Sequence, residues 1–222
     1  MAHYIVDREK FLKFRILRLI GNLMIERVII TVSDKSGLRE LLEGLYNHNP
    51  DVEIISSSGT ARRIDELGFK ARRIDEYTGM KESPGGLVKT LHPKIHGGIL
   101  LHEDIPEHKE YMEQNGIEHI DGVIVNFYPF ENIAKSTDDP EKLIKHIDIG
   151  GPSMARAAAK ASYMYRNMER KKFVLVDPKY YRQFLQHIDN LTKEFVVKMA
   201  NEVFHRTSGY DYQIWKHLRD VL

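Results

Sequence analysis

The chain contains no cysteine. That excludes disulfides, thiol nucleophiles and thiolate metal sites, and it makes an intracellular, cytoplasmic protein the plain expectation. No apolar run reaches the roughly 20 residues needed to span a bilayer, so no membrane partner is expected. Neither sign of charge dominates: 33 Lys and Arg face 32 Asp and Glu, for a net charge of +1. Nothing in that balance calls for nucleic acid. Walker spacing, a G-x-G-x-x-G run and H-E-x-x-H are all missing, which argues against triphosphates, dinucleotides and a zinc protease site. Repeats and low-complexity tracts are missing too. What remains is a globular composition, 42% apolar and 29% charged, in 222 residues. That length suits one generous domain with helical additions.

Residues 1–23 read as a helical N-terminal extension. Phe11, Leu12, Phe14, Ile16, Leu17, Leu19 and Ile20 are interrupted by Lys13, Arg15 and Arg18, unlike the clean core of a secretory signal. A partner-binding or interfacial amphipathic helix is the alternative for this stretch. A single domain is expected over 24–222, since Met24 stands just before the first strand.

That strand is Arg27–Val32, a β-branched run ending at Ser33-Asp34-Lys35-Ser36-Gly37. Leucines at 38, 41, 42 and 45 then follow a helical period. A second strand, Val52–Ile55, ends at Ser56-Ser57-Ser58-Gly59-Thr60, and the next helix closes near Leu67 at Gly68. Strand, polar loop and helix in that order, twice over, predict an α/β sheet. The segment from Tyr77 to Pro93 is rich in Gly and Pro and reads as a long ordered loop or a broken connection. Further strands are predicted at Asp121–Asn126 and Phe173–Val176, and a short helix at Pro140–His146. Residues 179–222 are predicted helical, with a break near Asn190-Leu191-Thr192.

Every unusual motif sits just past a predicted strand, where open parallel sheets bind ligands. The two Ser-rich loops offer hydroxyls and helix-start N–H groups suited to phosphate. Ordinary N-capping would explain either loop alone. Two of them on neighbouring strands, one bearing Lys35, favour a phosphate cradle. Lys89 and Thr90 can join it. Asn126-Phe127-Tyr128-Pro129 places an amide and a phenol beyond a third strand, and Tyr128 can donate to a developing oxyanion. A tyrosine that merely closes the sheet is the plainer reading of that segment. His92 and His96 have a helical zinc spacing, but Pro93 lies between them, and no metal site is expected. Asp148 precedes a Gly150-Gly151 turn, a small-residue helix follows, and Lys160 lies about three turns along it. The two could not meet side by side on one straight helix, yet a ligand lying along it would touch both.

Together these residues resemble the inosinate cyclohydrolase module of the bifunctional purine-biosynthesis proteins that also carry aminoimidazole carboxamide ribotide (AICAR) formyltransferase. The resemblance runs from about Arg27 to Trp215. It rests on Ser33–Gly37, Ser57–Thr60, Val88–Pro93, Asn126–Phe130, Asp148–Gly151 and Ala157–Lys160. It implies a three-layer α/β/α fold with a mostly parallel, methylglyoxal-synthase-like sheet. The implied reaction closes formamidoimidazole carboxamide ribotide (FAICAR) to inosine monophosphate (IMP) with loss of water, without a cofactor. By resemblance the catalytic set is Lys89, Tyr128, Asp148 and Lys160. Ser33, Lys35, Ser57, Gly59, Thr60, Thr90, Asn126, Gly150 and Gly151 would hold the substrate and its phosphate. A homodimer is implied as well.

Three features depart from the family pattern: Leu87 replaces an Arg, Ala161-Ser162 replaces Asn-His, and the chain stops at Leu222. The last leads to the expectation that a separate AICAR formyltransferase supplies the substrate. A methylglyoxal-synthase-like lyase and a catalytically impaired purine-nucleotide-binding module are the competing functions.

Overall fold

A computed structural model describes residues 25–137 and 139–221; the expected N-terminal extension lies outside these residues. Among the described residues, five strands form one sheet: β1 Arg27–Val32, β2 Glu53–Ser56, β3 Arg72–Arg73, β4 Gly122–Asn126 and β5 Phe173–Leu175. All neighbouring pairs are parallel, in the order β3-β2-β1-β4-β5. The sheet expected to be mostly parallel is therefore wholly so.

Alternation along β1 sorts its side chains into two cores. Val28, Ile30 and Val32 face the four leucines of α1 (Leu38–His48). Ile29 faces the other way, with Val123 and Val125 of β4. Full burial of each leucine contributes about 1.5–3 kcal/mol, which outweighs the modest helix propensity of an 11-residue segment. α2 (Ser58–Glu66) and α3 (Ile74–Thr78) follow β2 and β3. The second face is covered by α4 (Pro93–Leu100) through Ile95 and Ile99. Covered on both faces, the strands read as unbroken apolar runs, not alternating ones.

The sequence reading left the residues between Pro93 and Asp121 unassigned. They hold α4 and α5 (Pro106–Gln114), each starting on a proline, which supplies helical φ where its missing N–H does no harm. Tyr77–Pro93 is a broken connection: it contains a 3₁₀ turn at Pro84–Gly86, and Gly85 and Gly86 have φ of 70° and 67°. Beyond β4 come α6 (Phe130–Ala134), α7 (Pro140–Lys145) and α8 (Gly150–Met164). Ala155, Ala158 and Ala159 of α8 lie in the second core, and their short side chains let this helix approach the sheet closely. After β5, α9 (Tyr181–His187) joins the first core through Tyr181 and Phe184. The predicted break at 190–192 separates it from α10 (Lys193–Val221), where the Thr192 hydroxyl accepts the Phe195 N–H at 3.2 Å.

The amino-terminal edge of the sheet carries a buried charge network. Asp121 accepts from the Glu26 and Arg27 N–H groups at 2.8 and 2.9 Å and from Arg170 Nε at 2.7 Å. Nearby, Lys172 Nζ donates to the carbonyls of Gly98 and Ile120 at 2.8 and 2.6 Å. Burial pushes the Lys172 ammonium down to about 7 from 10.5. The unfolded chain then holds more protons than the folded one between those two values, so this group makes stability rise with pH across that window. The expected rise is on the order of 3–5 kcal/mol. Lys172→Met should flatten it, as followed by denaturant unfolding at pH 7, 8.5 and 10.

Candidate active site

Strand order reverses between β1 and β4, and a cavity of about 460 Å³ opens beyond the carboxyl ends of β1, β2 and β4. This is where an open α/β sheet leaves a crevice. Of the thirteen residues singled out in the sequence, the structure brings twelve to this cavity: Ser33, Lys35, Ser57, Gly59, Thr60, Lys89, Thr90, Asn126, Tyr128, Asp148, Gly150 and Gly151. They come from five separate chain segments. Lys160 is not brought there: it is exposed and absent from the lining. At 1.5 Å per residue, ten residues of rigid helix carry it about 15 Å beyond Gly150.

Hydrogen bonding divides the cradle into groups already engaged and groups left free. Asn126 Oδ1 accepts the N–H groups of Ser33 and Asp34 at 2.6 and 2.9 Å, and its Nδ2 donates to the Asp34 carbonyl at 2.9 Å. Its amide is thus committed to clamping the β1 loop across the crevice. Thr60 is committed as well: its hydroxyl accepts the Val32 N–H at 3.1 Å and donates to the Val32 carbonyl at 3.0 Å. What Thr60 can offer an anion is its helix-start N–H. Lys35 Nζ donates to the Val32 and Ser33 carbonyls at 2.7 and 3.2 Å, which holds the cation at the floor of the loop. Burial pushes that ammonium down from its usual value.

On the opposite wall stands Asp148. Its Oδ1 accepts the Gly151 N–H at 2.8 Å, at the start of α8. The expected Gly-Gly turn is replaced by helix, for both glycines are its first residues and neither has positive φ. Closeness explains them instead. A Cβ at Gly150 would overlap the Thr90 hydroxyl, and one at Gly151 would crowd the Asp148 carboxylate at 2.6 Å. Burial pushes the Asp148 carboxyl up, while the Gly151 and Tyr128 N–H groups and the Lys89 charge pull the other way. Burial prevails, as suits a group that exchanges protons. Tyr210 of α10 positions this wall: its hydroxyl accepts the Asp148 N–H at 2.8 Å, and its ring lies edge-on to Phe127 and Phe130.

Lys89 Nζ pairs with Glu82 at 3.2 Å, and Glu82 also accepts from the Ser58 hydroxyl at 3.3 Å. Leu87, where the family pattern has a base, stands on the rim, 77% exposed. His92 caps α4, its Nδ1 accepting the Lys94 N–H at 3.1 Å. The sequence reading missed Lys145 and His146, which also line the cavity. Their nearness to Asp148 was the available signal, hidden because both were assigned only to a short helix.

The MGS-like domain family model matches residues 37–153, more than half of the chain, and the chain belongs to this family. It is 44% identical over 193 residues to the bifunctional purine biosynthesis protein PurH of Rippkaea orientalis, covering 85% of this chain and 36% of that protein. For PurH of Ruminiclostridium cellulolyticum the identity is 41% over 203 residues, with 90% and 38% covered. The chain therefore spans a little over a third of the length of these curated relatives. The crystal structure of ForH superimposes with a TM-score of 0.72 at 28% identity, covering 87% of this chain and 98% of that one.

Proposed function

We propose that this member of the MGS-like domain family closes FAICAR to IMP with loss of water. One observation carries the reading. Lys89, Tyr128 and Asp148, distant in sequence, meet in a single cavity beside two loops of phosphate-binding type. A volume of about 460 Å³ suits a nucleoside monophosphate. The similarity to PurH proteins, which are named for purine biosynthesis, supports the same substrate class.

The chemistry follows from the placement. A carboxamide nitrogen attacks the formyl carbon, a new N–C bond forms, and the carbonyl pair moves onto oxygen. That oxygen needs a proton, and the Lys89 ammonium and the Tyr128 phenol, both in the cavity lining, are assigned as its donors. Asp148, kept partly desolvated, stabilises the positive charge that develops on the carboxamide side. The carbinol then loses hydroxide as water, and a second N–H proton leaves to form the C=N bond. Such acid–base groups contribute about 10²–10⁴-fold each. With Lys160 outside the cavity, no step is assigned to it. A homodimer belongs to the same proposal.

The test is the absorbance change on forming IMP from FAICAR, without folate. Turnover supports the reading. Tight IMP binding without turnover would favour an impaired binding module instead, and release of phosphate from a small phosphorylated ketone would favour the lyase. Gly150→Ala probes the cradle: the added methyl must turn Thr90 away from the cavity. The expected result is a KM for FAICAR raised at least about tenfold, equivalent to about 1.4 kcal/mol of binding, with kcat changed far less.

A further inference from the structure

Among the described residues, the cavity lining holds three ammonium groups, Lys35, Lys89 and Lys145, and a single carboxylate, Asp148. Ring closure as proposed above needs an acceptor for the carboxamide proton. Lys35 is bound to backbone carbonyls, Lys89 is paired with Glu82, and Lys160 is elsewhere. Among the described residues, one further nitrogen base remains in the lining: the imidazole of His146, two residues before Asp148.

Its surroundings determine which nitrogen is available. His146 Nδ1 lies 2.7 Å from the Lys142 carbonyl oxygen, one turn back on α7. A carbonyl only accepts, so Nδ1 carries the hydrogen. The neutral ring then presents Nε2 as a lone pair. The backbone beneath is held too. The His146 N–H donates to the Leu143 carbonyl at 3.1 Å, and the Tyr210 hydroxyl that accepts the Asp148 N–H lies 3.5 Å from the His146 carbonyl. One phenol therefore braces the stretch carrying both the imidazole and the carboxylate.

We propose that His146 is a catalytic residue of this site, its Nε2 taking the carboxamide proton while Asp148 stabilises the imidazolium side of the cavity. This rests on the ring-closure reading above. As the N–C bond forms, one N–H proton passes to Nε2, and the formyl oxygen takes a proton from Lys89 or Tyr128. The imidazolium then returns its proton to the departing hydroxyl, which leaves as water. The remaining N–H proton restores the donor, and every group ends as it began.

The experiment compares wild type, His146→Ala and His146→Gln in FAICAR closure, with IMP binding measured by calorimetry. Expected are a kcat lowered about 100-fold or more in both variants, IMP affinity close to wild type, and partial recovery of His146→Ala on adding imidazole. Recovery by added imidazole is what a merely structural histidine would not show. Unchanged kcat, or a lost activity that imidazole does not restore, overturns the proposal. Loss of IMP binding in both variants overturns it as well, by assigning the residue to structure. A wild-type protein that binds IMP but never closes the ring defeats the ring-closure reading itself, a result distinct from either.

Discussion

Asp148→Asn is expected to reduce FAICAR closure by about 10²–10⁴-fold while leaving IMP binding nearly intact. The amide has the carboxylate's shape, and its oxygen can still accept the Gly151 N–H that Asp148 accepts at 2.8 Å. What it loses is charge and the capacity to exchange a proton. Folding should not suffer. Burial raises the Asp148 carboxyl, so ionising it in the folded protein is unfavourable, and this group lowers stability as pH rises through its folded pKa. The variant should therefore melt at the wild-type temperature or slightly above it near neutral pH, the pattern of a residue kept for function at some cost in stability. Wild-type turnover in Asp148→Asn would remove this residue from the chemistry.

Arg170→Ala is expected to have the opposite profile, with a large loss of stability and no direct effect on the cavity. Arg170 joins Asp121, Glu103 and Glu26 at the amino-terminal edge of the sheet, away from the strand ends that form the cavity. Removing it leaves the Asp121 carboxylate buried with two backbone N–H groups and with His119 Nε2 at 3.3 Å. Breaking a buried pair in this way costs about 3–5 kcal/mol. In a protein of this size that corresponds to a melting point lower by about 6–20 °C.

The pH dependence gives a second readout. Burial pushes the Asp121 carboxyl up, but His119 and Arg170 together hold it far below the ordinary carboxylate range. A depressed folded pKa contributes stability that is present above the unfolded value of 3.8 and lost as pH falls below it. Arg170→Ala should thus lose stability less steeply than wild type between about pH 5 and pH 2, the window set by that unfolded value. An equally steep acid limb in the variant would show that Arg170 is not what holds Asp121 ionised.

Most of the architecture was legible before any coordinates. β1 and β4 are runs of β-branched residues, α1 repeats leucine at helical spacing, and Gly68 ends α2 with a φ of 88°. Those signals are local, and burial on both faces of the sheet agrees with them. The two-residue β3 was not legible, since Arg72 and Arg73 carry no strand pattern and pair only because β2 offers an open edge. Helices α4 and α5 were missed for a similar reason. Gly97 and Gly98 interrupt the pattern of α4, and a Cβ at Gly98 would strike the Glu118 carbonyl at 2.5 Å, a contact from a distant segment.

The candidate site divides along the same line. Residue type and position beyond a strand end were enough to nominate Lys89, Tyr128 and Asp148 and the two Ser-rich loops, because parallel strands deliver their following loops to one edge. Which groups are free to act depends instead on partners far along the chain. Asn126 is engaged by a loop 92 and 93 residues away, and Thr60 by a strand 28 residues away. Helix α8 carries Lys160 outside the cavity lining, while a short helix brings His146 in. Amino-acid order determined the sheet and the edge where chemistry gathers, since both follow from local periodicity. Tertiary structure alone decided which donors and acceptors remain unspent there, since a hydrogen bond depends on distance in space and not on distance in sequence.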